Sequence, residues 1–233
     1  MPRQFTVIIP TLQRSQLLHP LVVQCAAHPL VEEVIVINNA PEPLNWSSPK
    51  VRVVQQESNI GVNPAWNLGA RLASGELLAI LNDDIDIPDL LITTAARVLR
   101  LPNVGVVGVH ESCYSRPGTW RNRPLFRPMY TRPFHFGTAM FMRRDRYIPI
   151  PDDLVIFYGD DWLFYRQKHR CLAITGISLD SEHSKTSGTP EFVSRGPEEK
   201  LHYEAHMEGW AAPKRWERTL VTRARQLTRR WRS

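Results

Sequence analysis

Short aliphatic and β-branched runs alternate with helix-like stretches through the first half of the chain, and no other feature narrows the fold as far. The order is FTVIIP, RSQLLHPLVVQCAAH, EEVIVIN, VRVVQQ, NPAWNLGARLAS, ELLAILN, LLITTAARVLRL and VGVVGV. Strands this apolar have no polar face to offer water, so both faces need covering, and the intervening helices supply the cover. The pattern predicts an α/β fold: an open, doubly wound, mostly parallel sheet with helices on both faces. A chain of 233 residues suits one such domain, here 1–210, followed by a tail, 211–233. No internal repeat is present.

One of these runs ends abruptly. LLAIL is followed by NDDIDIPD, which places Asp83, Asp84, Asp86 and Asp89 within seven residues. Crowded carboxylates raise one another's pKa and resist ionising together. Two readings relieve the crowding: a bound cation, or a solvated turn with Asp89 capping the next helix. In open α/β sheets ligands bind beyond the carboxyl ends of the strands, which is where these acids are delivered. Mg²⁺ and Mn²⁺ take oxygen ligands, often one or two carboxylates completed by substrate phosphates, so the cluster suits a metal–diphosphate site.

The remaining texture is uneven. From His110 to His135 the chain is rich in Pro, Arg and aromatics without a steady period, which predicts a long surface loop or lobe. It interleaves Arg116, Arg121, Arg123, Arg127 and Arg132 with Trp120, Phe126, Tyr130 and Phe134, a mixture that can stack on sugar rings or bases and grip phosphates. That suits an anionic or lipid-linked saccharide, or single-stranded nucleic acid; a lobe packed on the body with solvated arginines is the plainer alternative. A second irregular stretch is expected from Ser181 to Glu199.

Net charge is +6, yet residues 211–233 alone carry +7 and the body sums to −1. In that tail Trp216, Leu220, Ala224, Leu227 and Trp231 fall on one helical face, with Arg218, Arg225, Arg229 and Arg232 opposite. Such a helix can lie in an anionic membrane surface, or pack on the body or a second subunit. Three distant cysteines, Cys25, Cys113 and Cys171, suggest neither a disulfide framework nor a zinc site. No run approaches a membrane span, and a strand begins at residue 5, leaving no room for a signal peptide. A cytoplasmic protein, peripheral on the inner face of the membrane, is expected.

A set of short motifs in fixed order carries a resemblance: Pro10-Thr11, Asn38-Asn39, Asn59-x-Gly61, Asn67-x-Gly69, Gly75-Glu76, Leu81-Asn82-x-Asp84, Gly137, and Phe157-Tyr158-Gly159-Asp160-Asp161. Over about residues 5–190 the chain resembles the family 2 glycosyltransferases of GT-A fold. The resemblance implies an inverting, metal-dependent transferase that takes a nucleoside-diphosphate sugar as donor and a saccharide or lipid-linked glycan as acceptor, with Mn²⁺ or Mg²⁺ as cofactor.

Carried over by position, the resemblance implies Asp84 as metal ligand, with Asp86 and His183 as further candidates. Asp86 qualifies because i and i+2 share a face while the backbone stays extended. It implies Pro10, Thr11, Arg14, Asn38, Asn39, Asn59, Gly61, Asn67, Asn82 and Asp83 on the donor side. Asp161, beside Asp160, matches the general base, and paired acids can have their pKa values driven apart to suit proton transfer. Trp120, Arg121, Gly137 and Trp162 are expected on the acceptor side. The sequence departs from the family where Asn38 replaces a base-reading Asp and where Leu163 replaces a second helix Asp. Two rival readings keep the fold: a transferase acting on nucleic acid, and a non-catalytic module binding sugar nucleotides or glycans.

Overall fold

The apolar runs become strands of a single eight-stranded sheet. In the computed structural model, which describes residues 4–114, 123–181 and 194–210, the elements run β1 (Phe5–Thr11), α1 (Leu18–Ala27), β2 (Val31–Asn38), β3 (Val51–Gln55), α2 (Val62–Leu72), β4 (Leu77–Leu81), β5 (Ile85–Asp86) and α3 (Asp89–Leu99). They continue with β6 (Val104–Val109), β7 (Leu125–Pro128), β8 (Ala139–Arg143), α4 (Gly159–Tyr165), β9 (Arg170–Thr175), β10 (Asp180–Ser181) and α5 (Gly196–Met207). Sheet order is β3-β2-β1-β4-β8-β6-β9-β7, and β10 pairs with β5 in a separate two-stranded ribbon. Only β8 and β7 run antiparallel to their neighbours in the large sheet.

The period of two along each strand splits the core into two layers. Phe5, Val7 and Ile9 of β1 and Leu77, Ala79 and Leu81 of β4 face α1 and α3. Ile8, Leu78 and Ile80 face α2 and α4 on the other side. Every residue of β1, β4 and β6 is buried, as expected where helices cover both faces.

Parallel pairing aligns the strand ends that matter. Thr11 of β1 lies opposite Asn38 of β2, and Ile8 lies opposite Ile80 of β4. The chain therefore leaves β1, β2 and β4 at one edge of the sheet. Asp89 is the first residue of α3 rather than its cap, where its charge suits the helix N-terminus.

The second half differs in part from its sequence-based expectation. The stretch 110–135 contains an edge strand, β7, and a single 3-10 turn, Glu111–Cys113, among its described residues. All four residues of β7 are exposed, so no alternation betrays it. The expected irregular stretch ends early, because α5 begins at Gly196. Residues 211–233, which carry the expected amphipathic helix, lie outside the described residues. Among the described residues no helix is long and apolar enough to cross a membrane.

Candidate active site

A cavity of about 280 Å³ opens at the shared strand edge. Pro10, Thr11 and Leu12 leave β1 along one side, Asn39 follows β2, and Asn82, Asp83 and Asp84 follow β4. Asn59, Val62 and Trp66 approach from the start of α2, and His135, Gly137 and Thr138 from the turn before β8. Ile156, Asp160 and Ser181 complete the wall.

The acidic turn is held from both flanks. Thr11 Oγ1 donates to Asp83 Oδ2 at 2.5 Å and accepts the Gln13 amide at 2.8 Å, while the Asn82 amide donates to Thr138 O at 3.0 Å. Tyr114 shares a short hydrogen bond with Thr138 Oγ1. Burial pushes that phenol up to about 12, and the nearby Asp84 adds to the effect. Asp84 Oδ1 is shut off from bulk water.

The second acid pair comes from α4. Asp160 and Asp161 occupy the first turn of this short helix, directly after Tyr158, whose backbone is left-handed at φ 62°. Gly137 makes room for Asp160: a Cβ there would stand 2.8 Å from Asp160 Oδ2. Arg132 bridges the two acids, with Nη1 2.9 Å from Asp160 Oδ2 and Nε 2.7 Å from Asp161 Oδ1. Burial raises the Asp160 pKa to about 6; Arg132 opposes the shift and Asp161 adds to it.

The segment that delivers this pair is clamped by residues that sequence motifs do not mark. Glu199 of α5 is 4% exposed and accepts the amides of Ile156 and Phe157, the latter at 2.7 Å. Asn63 of α2 donates to Leu154 O at 3.0 Å and Phe157 O at 2.9 Å. Tyr203 stacks on Tyr158, with ring centroids 5.0 Å apart and planes 18° apart. These contacts link residues 42 to 94 positions apart, so no local spacing could announce them. His135, Thr138 and Trp66 were also absent from the expected set; only their proximity to Gly137 and to the Asn59-to-Gly69 motif hinted at them.

Of the expected site residues, Pro10, Thr11, Asn39, Asn59, Asn82, Asp83, Asp84, Gly137 and Asp160 line the cavity. Asp161 stands beside it on the Arg132 bridge. The others lie off the wall or outside the described residues. Asp86 is exposed on β5, because residues 83–84 form a turn and break the extended alternation that would have aligned it with Asp84. Asn67 accepts from Tyr147 Oη and the Ile150 amide and donates to Ile150 O, tying α2 to the loop after β8.

Asn38 is fully buried, donating to Gln55 Oε1 and Glu42 O at 2.7 Å each and accepting from Gln13 Nε2 at 3.1 Å. It stiffens the floor beneath the strand edge. Arg14 is exposed, off the cavity wall. Gly61 opens α2 at φ +88°, where a Cβ would meet the Val155 side chain at 2.3 Å. Trp162 is core, its indole N–H donating to Pro149 O at 3.0 Å. Trp120, Arg121 and His183 lie outside the described residues.

A divalent ion fits the donor set. Asp83 and Asp84 supply two neighbouring carboxylates at the cavity wall with the Asn82 amide beside them, the few hard oxygens that Mg²⁺ or Mn²⁺ needs when phosphates complete its shell. Among the described residues no group of three or more His, Cys, Asp or Glu side chains could hold a metal alone.

The large, mostly parallel sheet with its covering helices has the GT-A fold. Residues 6–172 match the model of glycosyl transferase family 2, and the chain belongs to that family. No curated protein matches it. Among solved structures it is similar to the mannosyltransferase PcManGT from Pyrobaculum calidifontis, in complex with GDP-Man and Mn²⁺, at TM-score 0.62 and 18% identity, covering 91% of this chain and 66% of that one. It is also similar to S. aureus TarS 1–349 in complex with UDP-GlcNAc (TM-score 0.60, 16% identity, 82% and 64% coverage). GalNAc-T7 with UDP, GalNAc and Mn²⁺ gives TM-score 0.58 at 13% identity, covering 89% and 49%. At these identities the likeness is one of fold, and the chain spans 66% or less of each neighbour's length.

Proposed function

We propose that this chain transfers a sugar from a nucleoside-diphosphate sugar to a hydroxyl of a saccharide or glycoconjugate, with inversion at the anomeric carbon. The observation that carries the reading is the meeting of two acid pairs at one cavity: Asp83 and Asp84 from a strand end and Asp160 from a helix start line it, and Asp161 stands beside it on the Arg132 bridge. The two pairs suit two tasks. Asp84 and Asp83 would hold a divalent ion, which supplies Lewis-acid stabilisation of the charge that builds on the leaving diphosphate.

The Asp160–Asp161 pair accepts the proton of the attacking hydroxyl. Its members share one cation and sit side by side. Asp160 is the member on the cavity wall, and its raised pKa leaves it a stronger base than an ordinary carboxylate while still ionised at neutral pH. Thr11, Asn39, Asn59 and Asn82 line the donor side, offering hydroxyl and amide partners to a nucleotide and its ribose. The PcManGT complex with GDP-Man and Mn²⁺ and the TarS complex with UDP-GlcNAc support a sugar-nucleotide donor.

The acceptor belongs to polysaccharide or glycoconjugate assembly, with the catalytic body ending near residue 210 and the basic tail resting on an anionic membrane. The experiment is a turnover assay over a panel of sugar nucleotides with Mn²⁺, following release of nucleoside diphosphate and the anomeric configuration of the product by NMR. At least one donor should be consumed and yield inverted product, and Asp161→Asn and Asp160→Asn should each lower turnover by orders of magnitude. Absence of turnover with every donor, or a retained configuration, refutes the reading.

A further inference from the structure

We propose that Arg132 is a positioning residue of this site, fixing and charge-balancing the Asp160–Asp161 pair by bridging one carboxylate to the other. The inference rests on the assignment of that pair as proton acceptor. Arg132 reaches α4 from the far end of the irregular stretch, 28 residues away in sequence, yet it is tied there at both main chain and side chain. Its amide donates to Tyr165 Oη at 3.3 Å, and Nη1 also donates to Pro133 O at 3.2 Å. Its guanidinium meets Asp160 Oδ2 and Asp161 Oδ1 at charge-assisted distances of 2.9 and 2.7 Å.

The rest of the pair's hydrogen bonding makes this bridge consequential. Asp160 Oδ1 already accepts the Asp161 amide at 3.0 Å, so both oxygens of Asp160 are engaged once Arg132 is in place. A planar fork can span two carboxylates in a fixed geometry, and a lysine ammonium cannot. Arg132 does not line the cavity, which argues against a direct grip on substrate phosphates. It acts from behind.

Two adjacent carboxylates on one helical turn repel, and without a shared cation one of them keeps its proton to higher pH. Other groups lie near the pair. Tyr158, Tyr165 and Tyr203 lie close to it, and the neighbouring Glu199 and Glu204 of α5 carry the same sign as the acids. Burial and the acids raise the phenol pKa of Tyr158 and Tyr203, so those side chains stay neutral where the pair ionises.

The test compares wild type, Arg132→Met and Arg132→Lys as full chains. In Arg132→Met the acid limb of the kcat/KM profile should move alkaline by about one to two pH units, while the Mn²⁺-dependent thermal shift given by the nucleoside diphosphate stays unchanged. Arg132→Lys should restore part of the displacement. An unmoved acid limb, or a pH-independent loss accompanied by weaker nucleotide binding, overturns the inference. If Arg132→Met fails to fold, Arg132→Lys decides alone: a limb identical to wild type overturns, a displaced one supports.

A wild-type protein that turns over no donor sinks the transferase reading instead. Arg132 is then judged by carbon NMR titration of the aspartate carboxyls. A pair that titrates higher in the Arg132 variants than in wild type supports the bridge, and an unchanged titration overturns it.

Discussion

Glu199→Ala should destabilise this protein more than any change at an exposed charge, and should do so through the active-site loop. Glu199 is 4% exposed, and its carboxylate accepts the Ile156 amide at 3.0 and 3.2 Å and the Phe157 amide at 2.7 Å. Alanine removes the acceptor and leaves two backbone donors without it, at about 1–3 kcal/mol each for buried groups. Some entry of water into the space would soften the loss, so the total should fall at about 2–5 kcal/mol. For a chain of this size each kcal/mol lowers Tm by about 2–4 °C, which makes the shift roughly 4–20 °C.

Glu199→Gln retains one acceptor oxygen but turns an NH₂ toward a donor, and should lose less. Chemical denaturation followed by circular dichroism measures the stability, with donor turnover measured in parallel. The loop ends in left-handed Tyr158 and α4, so turnover at a temperature where the variant is folded should fall as well. A variant within about 0.5 kcal/mol of wild type, the range of ordinary surface changes, refutes the clamp.

Three further outcomes follow from the same geometry. Asp160 holds its proton to about pH 6, above the ordinary value of 3.8; the folded state binds that proton more tightly than the unfolded chain, so this group favours folding below about pH 4 and loses that contribution as pH rises through 6. Asp160→Asn should therefore gain on wild type as pH rises from about 4 to 7, by up to about 3 kcal/mol; pH-resolved denaturation that shows no relative gain contradicts this. Trp66 is 5% exposed and its indole N–H lacks an acceptor among the described residues, so in Trp66→Phe the loss of that buried donor should offset much of the lost ring packing and keep the cost under about 1 kcal/mol; a loss of several kcal/mol rules that out. Truncation before Ala211 removes +7 of charge and should abolish sedimentation with anionic vesicles, whereas unchanged sedimentation removes the tail from the membrane account.

The strands were legible because their burial is written as composition: β1, β4 and β6 are apolar throughout and buried throughout. β7 was not, since LFRP is exposed along its length and ends in Pro128, as suits an edge strand. α5 escaped notice because among its twelve residues only Glu199 is buried, so no apolar stripe marks it. At the site, motif order located nine of the cavity-lining residues, and other motif positions lie off the wall where the backbone turns. The turn at 83–84 removed Asp86, and the helical phase of α2 sent Asn67 toward Ile150 while Trp66 faced the cavity. Arg132 was visible as one of several loop arginines, but its bond to Asp160 and Asp161 depends on tertiary packing that no local pattern encodes.

The carboxylates after Leu81 are where the account is most exposed, and calorimetric titration of nucleoside diphosphates into wild type and Asp84→Asn, with and without Mn²⁺, reaches them directly. Binding should require the metal in wild type and weaken by at least about tenfold, or 1.4 kcal/mol, in the variant. Binding that is equally tight without Mn²⁺, and equally tight after the substitution, would contradict a metal–diphosphate role for this strand end.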